Sequence, residues 1–227
     1  MTVLSVFQGA VRRLLGQKPN TLFSAQDPLQ IKMQEIIQEA ALDLSQRHDW
    51  QVLTRLCTLT ADGNTEDFPL PIDYGRMLLK GDVHSSQWLL TYQAANDMDE
   101  WLNLKRFMPA QVPGYWALYG GQIHIIPPPP SGERPCFGYI TKNLAIGADG
   151  TPKLTFDTDA DTFALDENLL KMSIIWRWKQ AEGLDYSEDM QNCELLFSQL
   201  AAKDKGSKVI RSSRIRPTGM GIWGIPG

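Results

Sequence analysis

The chain has 227 residues, 43% hydrophobic and 21% charged, enough to bury a sizeable core in one large domain or two small ones. Its 22 Lys and Arg against 26 Asp and Glu give a formal charge of −4, which argues against broad nucleic-acid binding by the body of the protein. No stretch approaches the roughly 18 apolar residues of a membrane span, the opening MTVLSVFQGAVRRLL reverses the charge order of a secretory signal, and the separated Cys57, Cys136 and Cys193 predict reduced thiols in a cytoplasmic product.

Residues 3–15 place Leu4, Phe7, Val11, Leu14 and Leu15 on one stripe at helical spacing, and Gly16 to Asn20 break it. Asp27 followed by Pro28 reads as an N-cap with proline in the first helical position. Leu29, Met33, Ile36, Ile37, Ala40, Ala41 and Leu44 carry that second helix to about Arg47. From Trp50 the period becomes two, which predicts a strand through Thr60, a turn at Ala61-Asp62-Gly63-Asn64 and an answering strand from Asp67 to Leu70. Further strands are expected at 76–79, 87–91, 116–119, 122–126 and 136–141, with Gly120-Gly121 as a tight hairpin turn. A short helix is expected over 94–104, and Pro127 to Pro130 must leave the ladder because proline has no N–H to give it.

Asp166 is a capping residue for a third long helix, in which Leu169, Leu170, Met172, Ile174, Ile175, Trp176 and Trp178 cover nearly every direction around the axis. One contact face cannot bury them all. A second is expected, either within the chain or on a neighbouring copy, where Trp176 and Trp178 are of the residue type enriched at interface centres. A last helix over 187–203 shows a narrow stripe of Met190, Cys193, Phe197 and Leu200.

The final 22 residues carry Lys208, Arg211, Arg214 and Arg216 without an acidic residue, then Ile222, Trp223 and Ile225. The remaining 205 residues therefore hold 18 cations against 26 anions, a charge of −8. Rich in Gly and Pro, the tail is too short to build a core and too apolar to be a plain solvating tail. It reads as an arm that orders on a partner. The expected organisation is a helical bundle from 1–49 and 165–205, a β-rich insertion at 50–164 and the arm at 206–227: an α+β fold with an antiparallel β-rich region.

Patterns that carry chemistry are thin. Asp157, Asp159 and Asp161 match the first positions of a calcium loop, but Thr162 stands where the sixth position needs Gly and Asn168 where the twelfth needs Glu, so a solvated acidic turn is the simpler reading. His48, His84 and His124 lack metal-ligand spacing. No phosphate loop, dinucleotide fingerprint or nucleophile elbow is present. No catalytic residue, cofactor or metal site is assigned, and the chain is not expected to be an enzyme.

Several segments together, in order, resemble the head-to-tail adaptor (connector) proteins of tailed bacteriophages, particularly those of short-tailed phages. They are TVLSVFQGAVRRLLG, the DP-headed helix running into HDWQVLTR, DFPLPIDYGRM, WALYGGQIHIIPPPPSGE and TFDTDADTFALDENLLKMSIIWRWKQAEGLDY, spanning residues 2 to 186. The resemblance implies a structural virion protein at the head-tail junction, assembled in the host cytoplasm, forming a homo-oligomeric ring under a twelvefold portal. It implies partners in the portal protein above and a tail nozzle or tube protein below, with genome DNA passing through the channel without specific binding and no membrane contact. By the same likeness Lys208, Arg211, Arg214 and Arg216 would meet acidic portal surface while Ile222 and Trp223 fill an apolar groove. Two other readings stay open: another tail or baseplate component or nucleic-acid binder, and a peptidoglycan hydrolase of the tail with Glu167 or Asp161 as its carboxylates.

Overall fold

In the computed structural model, which describes residues 2–24, 27–107 and 113–204, the Thr2 hydroxyl accepts the Ser5 N–H and opens helix α1 (Val3–Leu15). Gly16, in the left-handed region, closes it. Helix α2 (Pro28–Gln46) starts at Asp27 as the sequence predicts, although the Asp27 carbonyl, not its carboxylate, receives the first-turn N–H groups of Gln30 and Ile31. Near the other end of the chain come α4 (Glu167–Ala181), with the Asp166 carboxylate accepting the Leu169 N–H at 2.8 Å, and α5 (Ser187–Asp204).

Helix α4 is the centre of the bundle. It packs against α1, α2 and α5, and that enclosure explains its apolar surround: Leu169, Leu170, Ile174 and Ile175 are at most 1% exposed. The second buried face that the sequence demands is thus supplied in large part by the chain itself. Phe7 and Val11 of α1, Met33 and Ile37 of α2 and Cys193 of α5 belong to the same core, joined by Ile140, Leu144, Phe156 and Phe163 from outside the helices. Ion pairs tie the bundle together: Arg13 of α1 and Lys179 of α4 share Asp189 of α5, at 2.7 and 2.5 Å, and Arg177 of α4 meets Asp43 of α2 at 2.9 Å.

Between α2 and α4 the chain builds β1 (Thr54–Thr58), β2 (Asp67–Pro69), β3 (Tyr74–Met77), β4 (Val83–His84), β5 (Thr91–Ala94), helix α3 (Met98–Phe107), β6 (Tyr115–Tyr119), β7 (Gln122–Ile126) and β8 (Cys136–Thr141). These strands form one mixed sheet in the order β1-β8-β4-β5-β6-β7-β2, with β3 also on β8 and only the β5–β6 pair parallel. A small second sheet, β9 (Ala145–Ile146) between β10 (Pro152–Lys153) and β11 (Thr162–Phe163), leads back to the bundle. The large sheet has its own core, with Val83, Tyr92, Ile123, Ile125 and Phe137 buried. The two parts meet at Arg76 of β3, whose guanidinium lies 2.6 Å from Asp49 and donates to the His48 carbonyl at 3.0 Å.

Several sequence expectations are corrected here. Residues 51–53 form a single 3-10 turn before β1 begins, because the Trp50 indole donates to the Leu44 carbonyl and Leu53 is buried under the bundle. The strands β1 and β2 are not a hairpin. Asp62 draws the N–H groups of Asn64 and Thr65 into a side-chain turn, the Ala61 N–H goes to the Glu133 carbonyl, and β1 pairs with β8 while β2 pairs with β7. Residues 87–90 are a loop, since the Ser85 hydroxyl takes the Gln87 and Trp88 N–H groups, and the strand starts only at Thr91. Helix α3 begins at Met98, later than expected, with Asp97 capping Glu100 N–H and Glu100 returning to Asn96 N–H.

The β6–β7 hairpin follows the sequence reading: Gly120 and Gly121 both have positive φ, as a two-residue turn of this twist requires. Gly114, just before β6, has φ 122°, and a Cβ there would collide with the Ile126 carbonyl and lie 2.7 Å from Pro127 Cδ. The Ile126 carbonyl is held in β7 and the φ is one that L side chains rarely adopt, so Gly114→Ala is expected to cost about 2 kcal/mol or more of stability. Urea unfolding checks this, and a midpoint equal to that of the wild type would refute the packing described for the start of β6.

Candidate functional site

The residues proposed from sequence for partner docking, Lys208, Arg211, Arg214, Arg216, Ile222 and Trp223, lie outside the described residues. What the structure does define is the place from which that segment departs. Asp204 ends α5, and its carboxylate accepts the Gln51 N–H at 3.0 Å and lies 3.3 Å from His48 Nε2, while the Gln51 amide donates to the Asp204 carbonyl. This corner is packed as well as hydrogen-bonded. His48 stands edge-on to Trp50, Trp50 edge-on to Phe197, and the Arg47 guanidinium sits 4.2 Å above the Phe197 ring while pairing with Glu194. The end of α5 is therefore fastened to the turn where α2 passes into the sheet. Sequence reasoning missed this site, because residues about 150 positions apart carry no spacing signal.

Trp178 is 8% exposed and lies in the bundle core, so the intramolecular reading accounts for its burial. Trp176, two residues earlier, is half-buried: its ring leans on Tyr186 with centroids 6.3 Å apart, and Arg177 lies 4.7 Å over its face. It is the more outward of the pair.

The acidic turn at 157–161 is not the solvated loop expected from sequence. Asp161 is completely buried, and its carboxylate accepts the N–H groups of Asp157 (2.9 Å) and Thr158 (3.0 Å), the Thr158 hydroxyl (2.7 Å) and the Lys153 ammonium (3.1 Å). Asp159 accepts the N–H groups of Leu22 and Phe23 and the Thr21 hydroxyl, which fixes the α1–α2 loop. The carbonyls of Asp161 and Asp159 receive the first N–H groups of α1, from Val3 and Leu4. The carboxylates of Asp159 and Asp161 thus hold the α1–α2 loop and the turn whose carbonyls receive the start of α1, while the exposed Asp157 carboxylate pairs with Lys153. Sealed in this way, Asp161 does not present a carboxylate to a substrate, as the hydrolase alternative would need. Among the described residues no group of three or more His, Cys, Asp or Glu side chains is placed to hold a metal ion. His124 is likewise structural: it is stacked 3.6 Å from Tyr119 and bonded to Asp67 at 2.6 Å.

Burial works against the charge on Asp161 and Asp159, yet the donors around them outweigh it and hold both carboxyls below the usual range. A depressed folded pKa gives stability that is present above the unfolded value, about 3.9, and is lost as pH falls through the folded value. Acidification below about pH 4 should therefore loosen the turn and the start of α1 with it. Asp161→Asn is expected to cost roughly 2 to 4 kcal/mol near neutral pH, with the difference from wild type shrinking as the pH falls below about 4. Urea unfolding at a series of pH values tests this, and parallel stability curves for the two proteins would contradict it.

The geometry is that of a closed helical body, a sheet projecting between its helices and a fastened point of departure for the C-terminal segment. No curated protein matches the chain. The model of the SU10 adaptor protein family matches residues 1–219, a span that takes in Lys208, Arg211, Arg214 and Arg216 and stops short of Ile222 and Trp223. The chain belongs to the SU10 adaptor protein family, and is a structural adaptor of the bacteriophage virion at the head-tail junction.

Proposed function

We propose that this adaptor forms a homo-oligomeric ring, twelvefold to match the portal, docks beneath the portal protein through residues 206–227, links it to a tail nozzle or tube protein and extends the DNA channel. On this reading residues 1–49 and 165–205 are the helical body of the ring, 50–164 the β-rich insertion, and the protein has no chemistry of its own. The observation that carries it is the division of charge: a body of −8 bears an arm of +4 with a terminal Ile222-Trp223 pair. Such an arm matches an acidic surface with an apolar groove.

Ordering the arm costs about 1 to 2 kcal/mol per backbone residue, so its contacts must be strong and repeated, as they are when many copies bind one portal at once. The fastening of Asp204 to Gln51 helps, since an arm that starts from a fixed point loses less freedom on docking. The acidic excess of the body suits a channel wall that repels phosphate, so that DNA passes without specific binding. No helix among the described residues is long and apolar enough to cross a membrane. Trp176, backed by Trp178, is assigned to contact between neighbouring copies.

Removing residues 206–227 should abolish attachment to portal-bearing heads while circular dichroism and thermal melting stay those of the full chain. Reversing Arg211, Arg214 and Arg216 to Glu should weaken attachment, and the wild-type attachment should itself fall as salt rises. Normal attachment by the truncated chain would refute the role of the arm.

A further inference from the structure

Two apolar patches of the sheet region have no cover among the described residues. The first is the β4–β5 loop, where Trp88 is 47%, Leu89 108% and Leu90 61% exposed. Three consecutive large apolar side chains facing water are unusual. The loop is nonetheless held in shape. The Ser85 hydroxyl, which takes the Gln87 and Trp88 N–H groups, itself donates to the carboxylate of Glu133, a completely buried residue that also accepts the Tyr92 hydroxyl at 2.8 Å. Ser86 accepts the Arg134 N–H at 2.8 Å. Burying a carboxylate to fix a surface loop is costly, and the gain is a tip already shaped for contact.

The second patch is the outer face of α3. Trp101 anchors this helix inward, with its indole donating to the Tyr119 hydroxyl, while Met98, Leu102 and Phe107 are 47%, 57% and 74% exposed. Of these only Phe107 lines the cavity of about 410 Å³ that Leu104 and the acidic Asp97, Asp99 and Glu100 also wall, Met98 and Leu102 lying round the helix from it. The tip precedes β5 and α3 follows it, and α3 docks where β6, parallel to β5, has run on to Tyr119. The two patches therefore lie toward opposite ends of the sheet.

We propose that the patches meet between copies of this chain, the Trp88–Leu90 tip of one copy seated on the α3 face of the next. Charge complements shape: exposed Arg134 lies beside the tip, and the carboxylates of Asp97, Asp99 and Glu100 surround the receiving cavity. Because the two surfaces differ, the contact is head-to-tail and is satisfied in every copy only when the chain of copies closes. Three side chains cover far less than the roughly 800 Å² per partner of a standard interface, so each contact is weak alone and is strengthened by closure. The closure rests on the ring reading above; the contact itself rests on these patches and not on the arm.

Sedimentation of the full chain over a concentration series reads the contact. The wild type should form species heavier than the monomer, and Leu89→Asp or Phe107→Asp, both at exposed positions, should raise the concentration required by roughly tenfold or more without changing the melting temperature. Mixing the two variants is the sharper test: one keeps a sound cavity and the other a sound tip, so the mixture should give one-to-one dimers and nothing larger. A wild type that stays monomeric throughout, variants that associate like the wild type, or a mixture that forms large rings would overturn the proposal. Variants that self-associate normally but lose the tail protein would give the tip to that partner and overturn it too. Portal attachment, read by removal of residues 206–227, is scored separately, so failure of this contact and failure of arm docking are distinguishable.

Discussion

Helix α4 carries apolar side chains in nearly every direction around its axis, and the rest of the structure follows from having to enclose them. Fully burying a Leu or Ile side chain stabilises by about 1.5 to 3 kcal/mol, and α4 buries Leu169, Leu170, Ile174 and Ile175. Each partly exposed ion pair around it contributes at most about 1 kcal/mol. Apolar enclosure therefore drives the assembly of α1, α2 and α5 around α4, and pairs such as Arg177–Asp43 and Arg13–Asp189 set how the helices align. Since α1 and α2 come early in the chain and α4 and α5 late, closing this bundle makes everything between Trp50 and Leu165 leave it and return. The return is fastened by the buried Asp161 and by Asp159, and the exit by Arg76 against Asp49.

The long helices were legible because their signals are local: Asp27-Pro28, the Asp166 cap and an apolar repeat near 3.6 residues. Gly120-Gly121 was legible for the same reason, since a turn with two positive φ angles leaves a two-letter trace. What was misread depends on bonds between distant residues or on side chains competing with the ladder. Asp62 and Ser85 take backbone N–H groups that a strand would need, and the period-two pattern before β1 is overridden by Trp50 and Leu53 turning into the bundle. The three aspartates were visible as a cluster, but their role depends on Lys153 and on the 21–23 loop, and the loop lies about 135 residues away.

For function the balance differs. The charge and apolar end of the arm stand in the sequence itself, and so does the order of segments that marks the family. The corner at His48, Gln51 and Asp204 was not legible, because neither a lone histidine nor a helix-terminal aspartate announces its partner. A rigid body that ends in a fixed point, followed by a cationic and then apolar segment, is the physical form expected of a subunit that must be placed accurately before it grips.

The most direct measurement is a cryo-electron microscopy reconstruction of this adaptor assembled on its portal. The account predicts continuous density for residues 206–227 running from the end of α5 onto the portal, with the arginines facing carboxylates and Trp223 in an apolar groove. Density for that segment folded against its own subunit, or an attached adaptor with no ordered arm, would contradict it.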